Sequence, residues 1–395
     1  MKKNIIIGIT LIVGYLLFIY FFGDEGLGLR ALVGIGFGYV LSRGAYGFAG
    51  TVNRAYRANS YKLMRSVMDL FMISSVVVAL LLLAFGSEAF NFSINPINLG
   101  LVFGGLLFGF GMAGASCCAS GVLADLADNP IKSLVVLFGF CAGVLLGFGP
   151  EANWAIVQEG PSVFLPSYFS NETIGIVISL IITFALAIGV KKYTYHLDAK
   201  NEAKGISVGK IPSEQEIDAK QYTTFSERFF SKPFTLTQAA IGLSAVNLYL
   251  ILVSSKGWGV SSAFGYWFGK LLITLGVDPV TVADFTSKSP DYFEKAILSD
   301  GASIQNIGIV VGAFAALIMM SQLKLSYDIT IKQVFLLLLA GLLMGFGTRL
   351  AQGCNAGAFY TQVTAFSLSG WFFLPVMVLG GILGNKFFIK TCKIG

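Results

Sequence analysis

The sequence predicts an all-α polytopic membrane protein. Two pseudo-symmetric halves form an inverted repeat, and each half carries re-entrant, glycine-rich broken helices. Three observations predict this. First, 55% of the 395 residues are apolar, only 12% are charged, and mean hydropathy is +0.76, well below the usual quarter of charged residues. Second, apolar runs near the ~20 residues that cross a bilayer recur along the chain. Third, two glycine-rich stretches share a spelling and put a cysteine at the same step. Gly109-Phe110-Gly111 leads to Cys117-Cys118 and Gly121, and Gly345-Phe346-Gly347 leads to Gly353-Cys354 and Gly357. Glycine lets a chain leave its helix, and unwound segments at mid-depth are where transporters build binding sites.

In chain order, spans are expected at about 4–22, 29–50, 64–85, 99–124, 131–149, 173–190, 234–255, 303–321, 334–351 and 370–389. The stretch 257–277 reads as a short or broken segment. The run 4–22 is longer than a signal core and ends at Gly23-Asp24-Glu25-Gly26, which is not a small-x-small cleavage site. It is therefore expected to stay as a first helix. Gly147-Phe148-Gly149 runs into Pro150 and reads as a helix end.

Charge sets the expected orientation. Arg54, Arg57, Lys62 and Arg65 cluster between the second and third spans. Lys191, Lys192, Lys200, Lys204, Lys210, Lys220, Arg228 and Lys232 lie in the one strongly polar stretch, whereas 86–98 and 150–172 hold no Lys or Arg. The positive-inside rule puts the N-terminus, 51–66 and 191–232 in the cytoplasm. Lys324, Lys332, Lys386, Lys390 and Lys393 want the same side. The expected organisation is a first transmembrane half over 1–190, a cytoplasmic linker over 191–232 and a second half over 233–395. The span with Gly345 then runs opposite to that with Gly109, provided that 257–277 does not cross. The net charge of +6 orients spans and is no sign of nucleic acid.

The chemistry that this pattern allows is narrow. The only histidine, His196, sits in the polar stretch, which argues against haem and against His-based metal sites. No nucleotide-binding motif is visible, and no cofactor is expected. Cys118 and Cys354 are the candidate site thiols, with Cys117 intermediate, while Cys141 and Cys392 read as small packing residues. Gly121, Gly353 and Gly357 open the backbone around the thiols. Freed N–H groups at half-helix starts attract anions, and a soft thiol suits a sulfur-bearing ligand. A weaker copy of the repeat runs from Gly36-Phe37-Gly38 to Gly44-Ala45; Arg349 precedes Cys354 and Arg43 lies just before that first-half break, and each is either a site residue or a snorkelling interface residue. Gln352, Asn355, Gln362 and Tyr360 are polar groups that could line a path.

These residues resemble a known family. Ala351-Gln352-Gly353-Cys354-Asn355-Ala356-Gly357 and Gly114-Ala115-Ser116-Cys117-Cys118-Ala119-Ser120-Gly121 are similar to the Gly-Cys-x-x-Gly elements of the YeeE/YedE family of sulfur-compound transporters. Arg43-Gly44-Ala45-Tyr46-Gly47-Phe48-Ala49-Gly50 resembles its first-half motif. The resemblance covers about 30 to 390. It implies loops dipping to the centre of a pseudo-symmetric helical fold in a bacterial inner membrane. It also implies thiosulfate uptake along a row of thiols through S–H···S contacts, and a small cytoplasmic sulfur carrier of the TusA type as partner. Thiosulfate-type members carry a cysteine where this chain has Gly47. The chain thereby resembles the branch associated with selenium or with other sulfur species. The competing readings are a membrane thiol-disulfide oxidoreductase, weakened because Cys117 and Cys118 are adjacent and not spaced as Cys-x-x-Cys, and a sulfurtransferase forming a persulfide at Cys354.

Overall fold

A computed structural model describes residues 2–209, 211, 214, 224–325 and 327–392, the side chain of Cys392 excepted. Lys210, Lys220 and Lys393, used above for orientation, lie outside the described residues. The chain is a helical bundle, with nine helices among the described residues long and apolar enough to span a bilayer.

The first, α1 (Lys2–Phe22), is a strongly apolar helix at the edge of the bundle. A left-handed Gly26 turns the chain into α2 (Leu27–Arg43). The span expected to reach residue 50 stops at Arg43. Ala45 takes a positive φ of 44°, and the chain leaves the helix before α3 (Ala49–Ala58) starts. Next come α4 (Lys62–Phe85), then α5 (Leu99–Ala115), whose first turn is capped by Asn98 accepting from the Leu101 N–H at 2.8 Å. The expected 99–124 span is interrupted at Ser116–Cys118 before α6 (Ala119–Asp125). The helix α7 (Pro130–Asn153) follows. Its end was expected at Pro150 and is found at Asn153, because a proline in the last turn removes only one late hydrogen bond.

After α8 (Ala155–Gln158), α9 (Glu172–Ala203) runs for 32 residues, roughly 48 Å at the usual rise. It outlasts the ~30 Å hydrocarbon core, so the expected linker begins as helix. That extension is tied to α4 by Lys191–Asp69 and Arg65–Asp198 ion pairs. The rest comprises α10 (Phe225–Phe230), α11 (Leu236–Ser254), α12 (Ser262–Thr274), α13 (Pro279–Thr286), α14 (Pro290–Glu294), α15 (Gly301–Met319) and α16 (Ile331–Leu350). A π-helical stretch (Asn355–Thr361), α17 (Gln362–Thr364) and α18 (Leu368–Cys392) complete it.

Two faces follow from the contacts. On one, Asn4 donates to Ser321, Arg54 pairs with Glu214, and Lys332 donates to the Thr391 carbonyl. This Arg54 face gathers the N-terminus, the 51–66 turn, the described linker and the start of α16, as the charge pattern predicts. On the other, the Asn95 face, Lys256 bridges Asn91, Asn153 donates to Ser287, and Gly301 sits by Leu27. Both flanks of α12 therefore lie on the Asn95 face, and 257–277 dips and returns without crossing. As a result α5 and α16 run antiparallel.

The Gly-Phe-Gly tripeptides turn out to be packing devices, and the breaks come after them. A Cβ on Gly38 would lie 1.9 Å from the Ile309 carbonyl oxygen, on Gly109 2.1 Å from that of Met377, and on Gly345 2.2 Å from that of Phe140. One on Gly347 would lie 2.6 Å from the Gly104 oxygen. Small residues let membrane helices approach closely, where packing replaces the hydrophobic drive. They bring α5 against α16 and α18, and α16 against α7, so the two interrupted helices share the core.

Candidate functional site

Both breaks are built alike. A helix ends at a left-handed residue, Ser116 (φ 60°) or Gln352 (φ 52°). After one more residue an extended cysteine caps a short helix: Cys118 (φ −106°, ψ −176°) or Cys354 (φ −92°, ψ −167°). The new helices start with Val122 N–H to Cys118 carbonyl at 2.8 Å and Ala358 N–H to Cys354 carbonyl at 2.7 Å. The intervening residue differs. Cys117 fills it in one break, whereas a Cβ on Gly353 in the other would sit 2.6 Å from the Ala358 nitrogen.

The breaks meet. The amide of Asn355 donates to the Met112 sulfur on α5 at 3.3 Å, and α6 packs on the π-helical stretch. Cys117, Cys118 and Cys354 are free thiols in one core cluster, and Gly121 leaves room beside Cys118, its Cβ position being 3.4 Å from that sulfur.

A vestibule reaches toward this junction from each face. The one on the Arg54 face, about 530 Å³, is lined by Gly47, Arg54, Arg57, Cys117, Cys118 and Gly121 among others. Asp128 stands at its rim; burial pushes that carboxyl up, partly offset by Lys324. The one on the Asn95 face, about 450 Å³, includes Asn95, Trp258, Arg349, Gln352, Gly353 and Gly357. Cys354 belongs to neither lining and is 1% exposed. Phe48, Trp258 and Tyr360 converge nearby, with ring centroids 5.7 to 6.3 Å apart. Trp258 also stacks on Phe37 at 3.9 Å.

The remaining candidates separate. Arg349 is buried; it pairs with Glu151 at 3.0 Å and donates to Ser261 at 2.8 Å. Its Nε, the Trp258 indole N–H and the Asn355 side-chain oxygen have no partner among the described residues. Gln352 donates to the Val157 carbonyl at 2.9 Å, and Gln362 binds Asn95 and the Ser93 carbonyl; both hold the break to neighbouring loops. Tyr360 is buried with its hydroxyl 2.8 Å from that of Ser74. Arg43 stands apart from both vestibules. It donates to the Lys232 carbonyl at 2.8 Å and to Tyr39 at 2.6 Å, under the Phe234 ring. Cys141 packs in the α7 core, as expected.

Sequence reasoning missed Arg54 and Arg57, reading them only as orientation charges. Arg57 donates to Asn385 at 2.7 Å and to the Ala113 carbonyl at 3.0 Å, holding the end of α5. Arg54 and Arg57 are three residues apart, which puts both on one side of α3; that spacing was the available signal. Trp258 and Asn95 were missed because their loops lack the repeated spelling.

Known transporters are similar to this chain. Over 359 residues the chain is 26% identical to a thiosulfate transporter TsuA of Spirochaeta thermophila, covering 88% of this chain and 95% of that protein. Identity to the TsuA of Escherichia coli is 24% over 87% of this chain and 89% of that protein. A probable transporter YedE of Escherichia coli is 29% identical over 169 residues, so the match spans only 40% of that relative's length. The profile described as sulphur transport matches residues 43–383, and the chain belongs to that family.

Proposed function

We propose that the chain carries a small sulfur-containing anion of the thiosulfate type across a bacterial inner membrane, with the Arg54 face in the cytoplasm. The observation that carries this reading is that vestibules from opposite faces end on the same pair of equivalent breaks. Gly353 and Gly357 line one vestibule, Cys118 and Gly121 the other, and the Cys354 thiol is buried between. The antiparallel α5 and α16 with matching breaks support two inverted halves.

An anion entering from the Asn95 face meets a wall that includes Arg349 and Trp258. Glu151 and Ser261 engage the terminal nitrogens of Arg349, and its buried Nε has no partner among the described residues. Cys354 and Cys118 then offer weak S–H donors. These release a soft anion more readily than charged groups would. On the Arg54 face, Arg54 and Arg57 draw the anion out and steer it. A TusA-like carrier would receive it at that mouth. By its resemblance to thiosulfate-type members of the family, the chain has Gly47 where a thiol is expected, which favours a related sulfur or selenium species as cargo.

Uptake of labelled thiosulfate and selenium analogues into proteoliposomes tests this. Flux of intact anion that is lost in Cys354→Ala and Cys118→Ala supports it. Activity that requires a quinone or a thiol donor overturns it in favour of an oxidoreductase or sulfurtransferase.

A further inference from the structure

A third cavity, about 580 Å³, lies away from both vestibules, between α1, α2, α10 and the start of α11. Its walls are apolar: Ile9 and Ile12 from α1, Leu32 and Ile35 from α2, and Met319 from α15. It opens sideways where Ile9 and Leu32 are each 41% exposed. From Leu32 to Arg43 the α2 wall runs roughly 16 Å along the helix axis and ends at the Arg54 face.

At its mouth the chemistry changes abruptly. Arg43, Arg228 and Lys232 line it together. Arg43 is held by Tyr39, Phe234 and the Lys232 and Arg228 carbonyls. The neighbouring carboxylate, Glu227, takes the Thr224 N–H in a capping box. Among the described residues no carboxylate pairs with Lys232.

The helix at the mouth, α10, exposes Phe225 (82%) and Phe229 (58%), stacked at 6.0 Å. A short helix with bare aromatic rings beside basic side chains sits at the headgroup boundary of a bilayer. The groove thus joins a long apolar slot, a cationic rim and an interfacial helix.

We propose that this groove is a binding site for one anionic phospholipid. An acyl chain lies along α1 and α2, and the headgroup phosphate sits at Lys232. Each cation near an anionic headgroup favours it by about fivefold. The site is independent of the transport path, so its test does not depend on the cargo.

The test is native mass spectrometry of the full chain released from bilayers of equal phosphatidylglycerol and phosphatidylcholine. The wild type should retain one phosphatidylglycerol in preference, by at least about fivefold. Lys232→Glu should abolish the preference. Ile12→Trp should fill the slot and lower retention of both lipids. Thermal melting identifies a variant that misfolds, and Lys232→Gln is the milder substitute, expected to reduce the preference. Equal retention of both lipids by the wild type overturns the proposal. So does an unchanged preference in well-folded Lys232→Glu, or unchanged retention of both lipids in well-folded Ile12→Trp.

Discussion

The two interrupted helices share a backbone path and differ in what surrounds it. The α5 break ends in Cys117 and Cys118, lines a vestibule, and is braced from α3 by Arg57. The α16 break ends in Gly353 and Cys354 and continues as a π-helical stretch. Asn95, Gln362 and the Arg349–Glu151 pair surround it. A π-turn widens the helix and is often kept at functional sites. The two breaks are buried alike, but the second is tied down by Asn95 and Gln352, and only the first presents its cysteines to a vestibule. The difference teaches that the repeated spelling sets where a thiol stands, while unrepeated neighbours decide what can reach it.

The largest expected effect breaks the comparison outright. Cys354→Ala should reduce proteoliposome uptake at least tenfold, about 1.4 kcal/mol or more on the barrier, and Cys118→Ala should match it. Wild-type flux in either would separate that thiol from the path. Next, Arg349→Gln strips a largely buried charge from Glu151 and should cost about 3 kcal/mol of stability, while raising KM. Glu151→Gln is the control. It also loses the ion pair but leaves the guanidinium for the anion, so its KM should stay closer to wild type. A larger KM rise in Glu151→Gln would assign Arg349 a purely structural role.

Smaller, and directed at the residue that distinguishes the breaks, is exchange at the intervening step. Gly353→Ala drives a Cβ to 2.6 Å from the Ala358 nitrogen and should cost about 1–3 kcal/mol by thermal or denaturant unfolding. Cys117→Gly, which copies the second break into the first, should cost less. Equal losses would show that the two breaks do not differ in tightness.

Much of this was legible in the sequence, for identifiable reasons. Hydropathy marks spans because an apolar run in lipid has few alternatives to helix, and the spacing from Gly109 to Cys118 and from Gly345 to Cys354 located both breaks. What hydropathy misses is where backbone turns without changing polarity. The apolar residues around Ala45 read through to residue 50, although the helix stops at Arg43. Pro150 reads as an end but lies inside the last turn of α7. Side-chain aim was not legible either. Arg43 precedes a break as Arg349 does, yet one guanidinium packs under Phe234 and the other lines the Asn95-face vestibule. Which way a terminal arginine folds depends on the neighbour that caps it, and no local pattern encodes that neighbour.

The smallest structural change offers the sharpest functional reading. At Gly47 a Cβ meets nothing within 4 Å, and the residue lines the Arg54-face vestibule that Cys118 also lines. Its glycine is therefore not required by packing, unlike Gly353. Gly47→Cys should leave stability within about 0.5 kcal/mol while adding a third soft donor to the Arg54-face vestibule. If the thiols hand the anion on by successive weak hydrogen bonds, the added one should raise thiosulfate uptake relative to other chalcogen anions, measured in competition on the same vesicles. Unchanged selectivity in a stable Gly47→Cys protein would mean that discrimination is complete before the Arg54-face vestibule, at Cys354 and the Arg349 side, and that the α5 break serves only as an exit.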